Sequence, residues 1–173
     1  MMKTSIKLLA LGGMLLGLGP PVFGQGGSVT NATATAKIVL AISVTKSLDM
    51  DFGTIIKDYA GGTVTIPVNG SSRTNQGVSL GSVEGTAAKF HADGTEGCGF
   101  AITFPSTITL RTGDGGANET MNVTLATNLT DNNGVLTTEG LDFNIGGTLT
   151  IAADQVAGLY NSVTPFAVSV DYN

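Results

Sequence analysis

From Ala32 onward the chain alternates between apolar and polar side chains with a period of two. The even positions read Ala32, Ala34, Ala36, Ile38, Leu40, Ile42 and Val44, and between them stand Thr33, Thr35, Lys37, Val39, Ala41 and Ser43. Successive side chains of an extended backbone point to opposite faces, so the even set shares one face, turned toward a core. This predicts a strand over Ala32–Val44, well beyond the roughly 5–6 residues common in sandwiches. A strand of that length has room to pair within its own domain along one half and with a neighbouring molecule along the other.

The same device recurs to the C-terminus. Leu48, Met50 and Phe52 alternate with Asp49 and Asp51, and Val64, Ile66 and Val68 with Thr63, Thr65 and Pro67. Further inward sets are Val78/Leu80, Phe90/Ala92, Phe100/Ile102/Phe104, Ile108/Leu110, Met121/Val123/Leu125, Leu141/Phe143/Ile145, Leu149/Ile151 and Phe166/Val168/Val170/Tyr172. Turn signals separate them at Gly61-Gly62, Asn69-Gly70, Asp93-Gly94, Asp114-Gly115-Gly116, Asn132-Asn133-Gly134 and Gly146-Gly147. Many short strands, each with one inward face, predict an all-β antiparallel sandwich with no helix. Pro67 and Pro165 each remove a ladder donor, which places them at an edge or a bulge.

The chain ahead of Ala32 reads differently. Lys3 and Lys7 precede an apolar run from Leu8 to Leu18, then Pro20-Pro21, with Val22 and Gly24 at the −3 and −1 positions of a cleavage site after Gly24. This is the pattern of an export signal over residues 1–24. The apolar run is too short for a bilayer that needs about 20 residues, and no Cys follows it to carry a lipid. Residues 25–31 read as a flexible, Gly-rich tail and 32–173 as the sandwich domain. The expected location is periplasm, cell surface or extracellular space, with no membrane span in the mature chain.

Composition agrees with this reading. Gly (25) and Thr (24) make up more than a quarter of the 173 residues, supplying turns and strands where helix formers are scarce. The net charge is −5; loss of Lys3 and Lys7 leaves 6 basic against 13 acidic side chains, or −7. A surface of that sign repels phosphate backbones and anionic lipid, which argues against a nucleic-acid or membrane-surface partner. Cys98 is the sole cysteine, so stability has to come from packing and sheet ladders, without an intrachain disulfide.

Candidate chemistry is thin. Gly77-Val78-Ser79-Leu80-Gly81 matches the G-x-S-x-G nucleophile elbow, but the elbow needs a strand-to-helix turn, and no helical pattern follows. His91 and Cys98 suggest a thiol–imidazole pair, yet His91 alternates toward solvent and Cys98 sits in a turn-like Glu96-Gly97-Cys98-Gly99. Asp49 and Asp51 share a face as paired carboxylates would, though nothing supplies the second role. One His and one Cys are too few for a usual zinc site. The oxygen-rich stretches Asp114–Glu119 and Asp131–Gly134 lack EF-hand spacing and read as Asx-rich turns. Five N-x-S/T triplets, at Asn31, Asn69, Asn118, Asn122 and Asn128, are expected by chance in so Thr-rich a chain. The expectation is a non-enzyme without catalytic, metal or cofactor residues.

Two stretches carry a family resemblance. Ala34 to Lys46 followed by Leu48-Asp49-Met50-Asp51-Phe52-Gly53-Thr54-Ile55 resembles the opening of a bacterial secreted family known as domain of unknown function 4402. Gly146 to Ile151, Gly158-Leu159-Tyr160 and Val168 to Asn173 resemble its close. The resemblance implies an immunoglobulin-like sandwich on an exported protein, with no catalytic residues to transfer. The C-terminal part is also similar to chaperone–usher fimbrial subunits, which often end in a strand with a penultimate tyrosine, here Tyr172. Those subunits lack one strand and borrow a neighbour's N-terminal extension by β-augmentation. Their usual cysteine pair is absent here, and Val29 is the only sizeable apolar residue of the tail. The leading expectation is therefore a structural or adhesive surface protein of pilus-like type. It would self-assemble, or join related surface subunits, by exchanging a strand through Ala32, Ala34, Ala36, Ile38, Leu40, Ile42 and Val44. The alternative is an extracellular carbohydrate- or peptide-binding sandwich, for which a chain with no Trp and three Tyr offers few stacking platforms.

Overall fold

In the computed structural model, residues 29–173 are described, and residues 1–28, with the expected signal 1–24 and most of the expected tail, lie outside them. The alternating segments fold into antiparallel strands in chain order: β1 (Ser43–Leu48), β2 (Ile55–Ile56), β3 (Gly62–Ile66), β4 (Thr74–Gln76), β5 (Ser79–Leu80), β6 (Ala88–Asp93) and β7 (Gly99–Thr103). After these come β8 (Thr107–Arg111), β9 (Thr120–Thr127), β10 (Asn133–Val135), β11 (Leu141–Ile151), β12 (Asn161–Ser162) and β13 (Ser169–Tyr172). A single 3-10 turn at Thr130–Asn132 is the only helical element among the described residues. The chain is all-β, as the period of two requires.

The sandwich is built from sheets of unequal size. The large one has eight strands in the order β1-β6-β11-β9-β8-β12, with β3 also on β11 and β4 beyond it. Opposite it stands a sheet of only three, β10-β7-β13, and a short β2–β5 ribbon closes one side. β11 is the spine: β6 pairs with its first half and β3 with its second, while β9 takes the other flank. Side chains that alternate inward along these strands form the core. Phe100, Phe143, Leu136, Ile145, Leu149, Val64 and Val123 are its largest fully buried members. Phe90 stacks on Phe143 with centroids 5.4 Å apart, and Phe166 meets Phe90 edge-on at 6.5 Å.

Two sequence expectations need correction. Gly146-Gly147 is no turn; it lies inside β11, whose inward parity runs unbroken from Phe143 through Ile151. A Cβ on Gly146 would sit 2.3 Å from the Ile66 carbonyl oxygen, so glycine here permits close backbone approach where β11 passes from β6 to β3. The strand expected over Ala32–Val44 begins only at Ser43, where β1 pairs with Asp93–Lys89 of β6. Residues 29–42 belong to no strand. Alternation gives a segment the pattern of a strand, but a ladder partner is needed to make it one, and the described residues supply none before Ser43. The compact unit that contains every sheet spans Lys37–Asn173.

Candidate functional site

The unequal sheets leave part of the core without a lid. Over β8, β9 and the end of β11 the inner face of the large sheet opens into a cleft of about 930 Å³, floored by Ile108, Leu110, Met121, Leu149 and Ile151. One wall is the stretch from Met50 to Lys57 and the other runs from Gln155 to Phe166. Ile108 and Leu110 remain only partly buried even though their parity turns them toward the core. The depression is apolar at its base, and the charged residues that line it, Lys46, Asp49, Asp51 and Lys57, are exposed.

Both walls are held rigidly by buried polar side chains. Arg73, 5% exposed, crosses beneath the first wall. Its Nη1 donates to the carbonyls of Phe52 and Thr54, the latter at 3.0 Å, and its Nη2 to those of Gly81 and Val83, the former at 2.9 Å. Among the described residues no carboxylate pairs with it, and its Nε has no partner. Carbonyl dipoles alone thus compensate a buried cation. Gly53 adopts φ +66 beside it, and a Cβ there would fall 2.2 Å from the Val83 carbonyl oxygen. The second wall hangs on Gln155, 4% exposed. Its Nε2 donates to the Thr120 carbonyl at 3.2 Å and to the Tyr160 hydroxyl at 2.8 Å. Tyr160 in turn donates to the Val156 carbonyl at 2.7 Å.

The second feature of note is the free segment ahead of β1. Ile38 is 94% exposed and Leu40 70%, values at odds with their side chains' preference for an interior. Ala32, Ala34 and Ala36 are exposed as well. Of the alternating set only Ile42 and Val44 pack against the core. The segment is pinned where it leaves the domain: Leu40 N–H donates to Thr95 Oγ1 at 2.7 Å, and the Leu40 carbonyl accepts from the Tyr172 hydroxyl at 2.8 Å. Thr95 N–H donates to that same hydroxyl, also at 2.8 Å, tying the exit point to the last strand. Among the described residues β13 bonds to β7 on one side and to no strand on the other, where β1 lies near it.

The remaining sequence candidates are dispersed. Ser79 lies exposed on β5 opposite Ile56, in a different sheet from His91. His91 Nδ1 meets Asp142 Oδ1 at 2.7 Å across the β6–β11 ladder, while the Cys98 thiol lies 3.7 Å from Lys37 Nζ. Asp49 pairs with Lys46, and Asp51 accepts from Gly53 N–H at 2.8 Å. Glu119 turns back to accept from Gly116 N–H at 2.7 Å, closing its own loop. Among the described residues no three His, Cys, Asp or Glu side chains gather as a metal group would.

Arg73 and Gln155 escape sequence reasoning because each stands alone in a turn-rich stretch. Periodicity reports faces, not a polar group that serves backbone carbonyls from distant segments. No curated protein and no solved structure matches this chain. The model of the family described as "Domain of unknown function (DUF4402)" matches residues 42–172, from the residue before β1 to the end of β13, and the chain therefore belongs to the DUF4402 family.

Proposed function

We propose that this protein is an exported, non-catalytic structural or adhesive component of the cell surface, assembled by exchange of its N-terminal segment between copies. Export rests on the basic–apolar–small pattern of residues 1–24. Assembly rests on one observation above all: an alternating apolar segment, through Ile38 and Leu40, stands in solvent outside every sheet of its own domain. Large apolar side chains exposed in a row mark a surface that another molecule covers. Addition of an extended segment to a sheet edge satisfies its backbone and buries alternate side chains, which is the chemistry this pattern suits. A sugar-binding role finds less support, because the chain has no Trp and, of its three Tyr, only Tyr160 lines the cleft.

The test is electrophoretic. Mature protein run in detergent without boiling gives a ladder that collapses to monomer on heating, and a chain lacking residues 25–40 gives monomer under both conditions. A ladder that survives the deletion, or its absence from the intact mature chain, would overturn this reading.

A further inference from the structure

We infer that the cleft over Ile108, Leu110 and Met121 binds a small, uncharged aliphatic alcohol, whose hydroxyl donates to Gln155 Oε1. The inference goes beyond the assembly reading and asks nothing of the segment ahead of β1.

The polar groups around the cleft select the head of the ligand. Four charged side chains line it, and each already has a partner in the chain. Lys46 and Asp49 pair with each other, Asp51 accepts from Gly53 N–H, and Lys57 Nζ donates to the Ala153 carbonyl at 3.1 Å. Two cations against two anions leave no net charge in the lining to attract an ionic head group. Gln155 is different. Its Nε2 faces the carbonyls of Asn118 and Thr120, which fixes the orientation of the amide and leaves neither hydrogen free. Among the described residues nothing donates to Oε1. Nor is Oε1 sealed inside the protein, because the only sealed side-chain atom without a partner among those residues is Arg73 Nε. Oε1 therefore reaches open space, and the space that Gln155 lines is the cleft, although the side chain is only 4% exposed. A lone acceptor in an apolar depression is the kind of group that orients a ligand.

The rest of the lining selects the body. The floor is aliphatic, and Met50 and Met121 add unbranched thioethers that adapt to a flexible chain. Ile56, Val156 and Leu159 also line the cleft yet stay 57%, 41% and 78% exposed, so a chain lying there covers apolar surface that the domain leaves bare. A volume of about 930 Å³ falls at the upper end of the roughly 300–1,000 Å³ common in ligand pockets. The walls held by Arg73 and Gln155 stand ready before anything enters.

Titration calorimetry on a chain that starts at Gln25 tests this, using the primary alcohols hexanol, octanol and decanol below their solubility limits. The inference predicts saturable binding at a single site, with affinity rising about fourfold for each added methylene. Heptyl methyl ether, an isomer of octanol without the donor, should bind about three- to tenfold more weakly. Octanoate and octylammonium should bind at least about tenfold more weakly than octanol, because each carries a charge that the cleft does not answer. In Gln155→Met the preference for alcohol over ether should vanish. Should that variant fail to fold, Leu110→Trp, which fills the cleft from its floor, should weaken octanol at least about tenfold. The assembly reading fails separately, since the ladder reports on residues 25–40 and the titration on Gln155 and Leu110. Ether binding as tight as alcohol binding, octanoate binding tighter than octanol, unchanged octanol affinity in Leu110→Trp, or no saturable binding of any alcohol would overturn the inference.

Discussion

Removal of the Arg73 guanidinium is expected to unlock the wall of the cleft and cost a large share of the protein's stability. The side chain is 5% exposed and serves four backbone carbonyls from two segments. Two of those carbonyls keep another partner in Arg73→Ala: that of Thr54 accepts from Gly81 N–H and that of Val83 from Thr54 N–H. The carbonyls of Phe52 and Gly81 lose their charged donor. An orphaned buried acceptor costs about 1–3 kcal/mol, so two of them cost roughly 2–6 kcal/mol. Relief from burying a cation without a counter-ion offsets part of this. The expected net loss is about 3 kcal/mol, a sizeable fraction of a typical 5–15 kcal/mol. In a domain of this size that lowers Tm by about 6–12 °C. Urea denaturation of a chain that starts at Gln25, followed by circular dichroism, measures it directly. Arg73→Lys keeps the charge but not the planar fork, and should lose about half as much. Raising salt from 0.1 to 1 M should leave the Arg73→Ala deficit unchanged, because the buried group is little screened. A deficit below about 0.5 kcal/mol would refute the reasoning.

The fold yields further expectations. Phe143→Ala removes a fully buried ring stacked on Phe90 and should cost about 3–5 kcal/mol, read from the urea midpoint. Gly53→Ala combines positive φ with a clash against the Val83 carbonyl and should destabilise by more than about 1 kcal/mol, whereas Gly70→Ala, at φ +74 with open space around it, should cost less. Equal effects at the two glycines would show that steric contact at Gly53 contributes nothing.

Much of the architecture is legible in the sequence, and the limits of that legibility are physical. The inward faces of β6, β9 and β11 are written in Phe90/Ala92, Met121/Val123/Leu125 and Phe143/Ile145, because period two is a local property of the strand. Gly146-Gly147 misleads, since a glycine that permits close backbone approach looks the same in sequence as one that permits a turn. The stretch Ala32–Ile42 has the pattern of a strand without its pairing, and pairing depends on a partner that the pattern does not name. The cleft is invisible for a related reason. Ile108 and Leu110 read as core residues, and whether they are covered depends on how many strands the opposite sheet supplies.

Amide hydrogen exchange on a chain that starts at Gln25, followed residue by residue, tests the free segment most directly. At dilutions where the protein is monomeric, amides of residues 29–39 should exchange at the rate of an unstructured peptide while those of β11 stay protected, and in the assembled form the segment should become protected as well. Slow exchange over Lys37–Val39 in the dilute monomer would mean that the segment already has a partner in its own chain, and would contradict the account.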